Sequence, residues 1–436
     1  MSTQTLDPQA QKLNEAIQAA NPAVLQLLSE RGKAIFFPKL GILAQSAEAG
    51  GKEINATIGI ALEDDGSPVA LPSIAKNIPL PAGDVFPYAP SPGRLDIRKI
   101  WKEMLVKKNP GLKGRTFSQP VVTTALTHGL SMAGYLFCDA EDTLILPDLF
   151  WENYGLIFTN AFGAAFDTFP TYTAEGAFNV EGLKAKLAAP SKRGKKIVLL
   201  NFPNNPSGYT PTEAEAKAIV AAIGEAAGRG EKIAVLIDDA YFGLVFEPGI
   251  HAQSIFVDLA DLSPNVLAVK IDGATKEDYV WGFRVGFLTY GVKGGTAPLY
   301  EALEAKTGGA IRGNISNTSN PAQTLLVKAW TSGEYEAEKQ QKFNLLKTRY
   351  LAVRDILAAH PEYQERFTAL PFNSGYFMCI RPKVDAEKLR QKLLSDYSTG
   401  TINFNGLLRL AFSATPTAKL PKLFENIYKA AGEIEG

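Results

Sequence analysis

"IDGATKEDYVWGFRVGFLTY", residues 271–290, threads one lysine through a mostly apolar, glycine-rich stretch. Lysine is among the residues least often fully buried. Lys276 is therefore either a solvated loop residue beside Glu277 and Asp278, or an amine placed there for chemistry. In the second case burial or cationic neighbours lower its pKa, so that it can attack a carbonyl carbon. Arg284, eight positions on, is one such cation. The stretch lies between two short apolar runs, "VLAVKI" (266–271) and "VGFLTY" (285–290). Runs of that kind are what buried strands require.

Working outward, "DTLILP" (142–147), "KIVLL" (196–200) and "IAVLID" (233–238) have the same texture. Amphipathic segments such as "PTEAEAKAIVAAIGEAA" (211–227) lie between them, and "LDIRKIWKEMLVK" has helical spacing. Strands alternating with helices predict an α/β layer with a mainly parallel sheet. After residue 333 the texture changes. Residues 334–360 read as one long helix, followed by short strands ("GYFMCIR", "LLRLAFS") among helices ("DAEKLRQKLL", "PKLFENIYKAA"). The expected organisation is a large α/β domain over 71–330 and a smaller α+β domain over 331–436. Residues 1–70 form an N-terminal arm and part of the small domain.

Composition narrows the function classes. The 436 residues are 46% hydrophobic and 21% charged, an ordinary globular composition with zero formal net charge. No overall field points to nucleic acid or to an anionic membrane. The basic cluster "SKRGKK" (191–196) reads as a solvated loop before a strand. Cys138 and Cys379 form no CxxC or disulfide framework, which fits a reducing cytoplasm. The three histidines are widely separated, so no metal centre is expected. No run approaches the roughly 20 apolar residues of a spanning helix. The start of the chain has no basic segment followed by an apolar core, so it does not read as a signal peptide.

Ligands of open α/β sheets bind beyond the carboxyl ends of the strands. After "KIVLL" comes "NFPNNPSGYTPT" with Asn205; after "IAVLI" comes "DDAYFG" with Asp238 and Tyr241; after "TLILP" comes "DLFWENY" with Trp151. Taken singly, an Asp at a strand end is a helix cap, a loop Trp is packing and Asn-Pro is a turn. Together with Lys276 and Arg284 they make sense around pyridoxal phosphate. The lysine would form a Schiff base with its aldehyde, and the carboxylate would keep the pyridine nitrogen protonated. Asn205 and Tyr241 would hydrogen-bond the ring oxygen, and the Trp151 indole would stack on the ring. Arg284 would pair with the phosphate. "VVTTALTHGLSMAGYLF" (121–137) reads as a strand, a turn and a helix, so amides around Ala125, Leu126 and Thr127 could cradle that phosphate.

With these residues in place, the chain resembles the fold-type I pyridoxal-phosphate enzymes of the class I/II aminotransferases, nearest to the aspartate and aromatic aminotransferases. The resemblance runs from about residue 54 to residue 413. "INATIGIALEDDGSPVALPS" resembles the N-terminal substrate loop, with Gly59 at its glycine. "YAPSPGRLDIR" resembles the segment whose tyrosine, here Tyr88, reaches the phosphate of the partner subunit. "LFWENY", "NNPSG", "DDAY", and Lys276 with Arg284 follow in the family's order. "RLAFS" places Arg409 where the family binds the substrate α-carboxylate, and "SGYFMCI" places Phe377 at the aromatic wall. The resemblance implies a three-layer α/β/α large domain and a homodimer with shared active sites.

Three positions depart from the family pattern. Gly273 replaces a phosphate-binding serine, with Thr275 directly before the lysine. Tyr154 stands where the nearest relatives carry a histidine behind the Asp. The phosphate turn reads Thr-Ala-Leu-Thr. The implied activity is ping-pong transfer of an amino group between an L-amino acid, aspartate/glutamate or aromatic, and a 2-oxo acid such as 2-oxoglutarate. In this reading Arg409 and Asn205 hold the substrate and Lys276 moves its α-proton. Arg312, in "IRGNISN" (311–317), has the spacing of the arginine that grips a second carboxylate. The alternatives are a lyase or synthase of the same fold, and a non-catalytic aminotransferase-like regulator. The regulator would need an N-terminal DNA-binding domain, and no basic recognition helix is visible.

Overall fold

The structure, a computed structural model, describes residues 6–37, 41–191 and 194–435. Lys192 and Arg193 of the basic cluster lie outside the described residues. In chain order the strands are β1 (Ile54–Asn55), β2 (Val121–Thr123), β3 (Thr143–Pro147), β4 (Ala165–Phe169), β5 (Lys195–Asn201), β6 (Lys232–Asp238), β7 (Val266–Asp272) and β8 (Gly286–Gly291). They continue with β9 (Phe367–Ala369), β10 (Phe377–Pro382), β11 (Thr399–Gly400), β12 (Ile402–Phe404) and β13 (Leu407–Ala411).

The main sheet has seven strands in the order β2-β8-β7-β6-β5-β3-β4. From β4 to β7 every pairing is parallel, while β7–β8 and β8–β2 are antiparallel. The mainly parallel sheet therefore stands, with an antiparallel edge that hydrophobic pattern alone does not reveal. Almost every residue of β5 to β8 is buried. Successive side chains point to opposite faces of a sheet, so both faces are covered and the sheet is the middle of three layers. The helices Ala125–Phe137 and Glu213–Gly228 are among those packed on it.

Register fixes the rim on which function sits. Asn201 pairs with Asp238, and Asp238 pairs with Ile271, so the carboxyl ends of β5, β6 and β7 form one row. Polar side chains at the end of that row project beyond the sheet, where the apolar pattern of each strand stops. Lys270, on β7, is fully buried but is paired with Asp239 and lies 3.3 Å from Asp272. A buried ammonium needs such partners, because desolvation of a lone charge is expensive.

A second sheet, β12-β13-β10-β9, is antiparallel. The expected long helix spans Tyr335–Ala359, and Leu420–Glu435 closes the chain. Residues from the N-terminal part join this region: β1 pairs with β11 in parallel, and the Gln45 side chain bonds the backbone of Asn403. Among the described residues, no helix is long and apolar enough to cross a membrane.

Candidate active site

One cavity of about 440 Å³ opens at the carboxyl rim of the main sheet. Gly59, Ala125, Leu126, Thr127, Trp151, Asn205, Asp238, Tyr241, Thr275, Lys276, Arg284, Phe377 and Arg409 all line it. Every site residue expected from the sequence is there except two. Tyr88 is 90% exposed and does not line it. Arg312 sits exposed in the last turn of the helix Ala297–Asn314, its Nη1 donating to Ser316 Oγ at 2.9 Å.

Lys276 lies on a single helical turn, Ala274–Glu277, in the connection from β7 to β8. Burial lowers its pKa to about 8; the Arg284 guanidinium adds to the fall and the Asp238 carboxylate resists it. Its Nζ is 5.1 Å from the centre of the Tyr241 ring. Gly273, the departure three residues before it, has a packing reason. A Cβ there would stand 2.7 Å from the Val285 carbonyl oxygen, so a serine at 273 would collide with backbone of the returning chain.

Asp238 is the last residue of β6 and is 3% exposed. Its Oδ2 accepts from Tyr154 Oη at 2.5 Å and its Oδ1 from the Ala240 amide at 3.1 Å. Burial pushes the carboxyl up; the Tyr154 hydroxyl and the Lys276 ammonium pull it back. Tyr154 is itself fully buried, and burial with Asp238 beside it raises its own pKa far out of reach. It therefore stays a neutral donor, where a histidine would be able to carry charge. We expect Tyr154→Phe to remove about 1–3 kcal/mol of stability, the usual worth of a buried hydrogen bond to a charged group. Thermal or urea unfolding checks this, and an unchanged midpoint would mean that the bond does not hold Asp238.

Arg409, on β13, is 3% exposed. Nη1 donates to Asn205 Oδ1 at 3.3 Å and Nη2 to the Thr57 carbonyl at 3.4 Å, while Nε has no partner. Its Cζ lies 4.3 Å from the centre of the Phe377 ring. Among the described residues no carboxylate pairs with it; Glu152 acts only at a distance. A buried guanidinium with an idle N–H and long bonds is a seat for an incoming carboxylate. Arg284 is likewise without an acidic partner among the described residues and donates only to the Trp281 carbonyl, at 3.3 Å. The helix Ala125–Phe137 begins at the cavity, which Ala125, Leu126 and Thr127 line, and has no side-chain cap, so the positive end of its dipole and amides without helical partners lie there.

Asn205 is held from both sides. Its amide donates to Asn201 Oδ1 at 2.8 Å, and Asn201 Nδ2 donates to the Asp238 carbonyl at 2.8 Å. Gly208 (φ +73°) lets this loop pass β10, since a Cβ there would stand 1.8 Å from the Phe377 carbonyl oxygen. The sequence reading missed Asn201, Thr57, Ile42, Ser46, Glu152 and Asn153, all of which line the cavity. Asn201 was discoverable as the first polar residue after an apolar strand. Ile42 and Ser46 carry no local signal, because their helix reaches the cavity only through tertiary packing.

Comparison with known proteins accords with this geometry. The family model described as "Aminotransferase class I and II" matches residues 52–427. The chain belongs to that family. An aspartate aminotransferase of Bacillus subtilis (strain 168) is 27% identical over 285 residues, 63% of this chain and 65% of that protein. A probable N-acetyl-LL-diaminopimelate aminotransferase of the same organism is 27% identical over 205 residues, 47% of this chain and 48% of that protein. The chain thus spans between about half and two thirds of the length of the curated relatives it matches. The crystal structure of an aminotransferase from Anaerococcus prevotii DSM 20548 superposes with a TM-score of 0.82 at 25% identity, covering 92% of this chain and 98% of that one.

Proposed function

We propose that this protein is a pyridoxal-phosphate-dependent aminotransferase that moves an amino group between an L-amino acid and a 2-oxo acid. This reading rests on a half-buried lysine, its ammonium form disfavoured by burial, that shares one cavity with a buried guanidinium lacking a carboxylate partner among the described residues. The cavity also fits the cofactor. Arg284 and the uncapped amides of 125–127 suit its phosphate, Asp238 its ring nitrogen, Asn205 and Tyr241 its ring oxygen, and Trp151 its ring face. When bound, pyridoxal phosphate supplies an aldehyde for the amine and a ring that draws electrons from the substrate's α-carbon.

The chain's own residues do the remainder. Arg409 is placed to bind the α-carboxylate as a bidentate pair through its free Nε–H and one terminal nitrogen. Asn205, tethered by Asn201, orients the same carboxylate. With a pKa of about 8, Lys276 is in part neutral near neutral pH, and its Nζ can take the α-proton and return it to the neighbouring carbon. Asp238, whose carboxylate form Tyr154 and the Lys276 ammonium favour against the pull of burial, would balance positive charge on the ring nitrogen. The direct test supplies pyridoxal phosphate, L-aspartate and 2-oxoglutarate to the purified protein. Amino transfer that requires the oxo acid supports the proposal; consumption of the amino acid without one would favour a lyase or synthase.

Tyr88 and Arg312 are proposed to complete the cavity of a second copy, in a homodimer. Arg312 then meets the distal carboxylate of aspartate, glutamate or 2-oxoglutarate. Arg312→Leu is expected to lower kcat/KM for dicarboxylates about 10- to 100-fold and to leave aromatic substrates within about twofold, as loss of one charge-assisted contact would. Equal losses for all substrates would count against the assignment. The division at 1–70, 71–330 and 331–436 is proposed with it, supported by the separation of the seven-stranded sheet from the four-stranded sheet and from the β1–β11 pair. A cytoplasmic location is proposed from the two free, buried cysteines, whose thiols burial pushes up to about 12.

A further inference from the structure

We propose that Glu277, held between Lys108 and Lys339, is a positioning residue that fixes where Lys276 presents its amine; the inference rests on Lys276 being the reacting group. The turn Ala274–Glu277 is too short to hold itself, since so short a helix has almost no internal hydrogen bonds. The chain around it also takes uncommon backbone conformations, with φ of +58° at Tyr279 and +55° at Arg284. Such conformations persist only where the surroundings impose them.

The surroundings here are ionic. Lys108 Nζ lies 2.9 and 3.0 Å from the two Glu277 carboxylate oxygens, and Lys339 Nζ lies 2.6 Å from Oε1. Asp278, the next residue, accepts from Tyr335 Oη at 2.6 Å and from Trp330 Nε1 at 2.9 Å, with Lys339 at 3.2 Å. Tyr376 Oη donates to the carbonyl of Lys276 itself at 3.1 Å. The chain leaving Lys276 is thus fastened to three helices, Leu95–Lys108, Asn320–Trp330 and Tyr335–Ala359. Glu277 is 5% exposed, and burial alone would raise its carboxyl; the two ammonium groups win and hold it well below the usual range.

Packed apolar side chains would stabilise the same spot as well, so stability does not explain two lysines on one buried carboxylate. What such a bridge adds is one permitted geometry. Glu277 lines a separate cleft with Lys108, Tyr335 and Lys339, and it is not among the residues of the Lys276 cavity. Its influence therefore runs through the backbone of Lys276 and not through contact with substrate. Held in place, the amine faces Asp238, the Tyr241 ring and Arg284, and it is this desolvated setting that makes it a usable base.

The test is Glu277→Gln in the full-length protein. Freed of cofactor, each protein is pulse-labelled with acetic anhydride across pH, and Lys276 is read by mass spectrometry. The wild type is expected to half-label near pH 8, where burial places the amine. The variant is expected to half-label about one pH unit or more higher, because a displaced amine regains water. After reloading, kcat should fall about 10-fold or more with KM for the amino donor within about twofold, as misplacement of a reacting group does. An α-deuterated donor should then show a larger isotope effect than in the wild type. An unchanged labelling midpoint and isotope effect, even with a lower melting temperature, would overturn the positioning role. Should Glu277→Gln fail to fold, Lys108→Met removes one clamp and leaves Lys339 on the carboxylate. Borohydride fixation of pyridoxal phosphate on wild-type Lys276 separates the two failures: without it the underlying reading falls, and with it only the role of Glu277 is at stake.

Discussion

Lys276→Ala is expected to fold normally, to retain pyridoxal phosphate, and to transfer amino groups at least about 10³-fold more slowly, the scale of losing a positioned proton-transfer group. Three features set this expectation. Burial disfavours the amine's charged form, Lys276 lines the same cavity as Arg409, and the other titratable groups close to it, Asp238 and Tyr241, are poor substitutes. Asp238 is committed to Tyr154 and the Ala240 amide, and the Tyr241 hydroxyl is pushed up by burial. The fold should not suffer. A lysine whose ammonium form is disfavoured by burial opposes folding below its own pKa, and truncating it removes that opposition. The melting temperature of Lys276→Ala should therefore equal or exceed that of the wild type near neutral pH. Near-wild-type turnover would remove the lysine from its role; a collapsed melting temperature would mean that its loss acts through the fold.

The second large effect is expected at Arg409. Arg409→Met should lower kcat/KM about 10²- to 10³-fold for every amino acid and oxo acid, corresponding to roughly 3–4 kcal/mol for a buried charge contact. The loss should be uniform because every such substrate carries the α-carboxylate. Here too stability should hold, since the guanidinium is 3% exposed and, among the described residues, has no ion pair and makes only two long hydrogen bonds. Methionine fills similar space against Phe377 without a charge to desolvate. A loss confined to dicarboxylates would move the α-carboxylate elsewhere and assign Arg409 to the side chain.

Much of this site was legible because its residues sit at the ends of strands that the sequence marks by composition. Asp238, Asn205 and Lys276 each follow an apolar run, and the parallel register brings those ends into one row. What sequence could not show was long-range. The helix Ile42–Glu48 and Thr57 reach the cavity from the N-terminal part, whose strand β1 pairs with β11 at residues 399–400. The edge strand β4 was also missed, since "AFDTF" is mostly half-exposed and has no β-branched apolar run to announce it. The reason for Gly273 emerged only once the returning chain at Val285 was seen against it. Likewise, Glu277 and Asp278 read as solvated neighbours of the lysine until Lys108, Lys339, Trp330 and Tyr335 were found around them.

Amino transfer through Lys276 is tested by the visible absorption spectrum of the purified protein supplied with pyridoxal phosphate, followed as L-aspartate and then L-tyrosine are added with no oxo acid. A visible band is expected, which one of these amino acids bleaches to the amino form of the cofactor with release of its 2-oxo acid, and which recovers when a 2-oxo acid is returned. A protein that stays colourless with pyridoxal phosphate present would contradict the assignment of Lys276 and with it the proposed reaction.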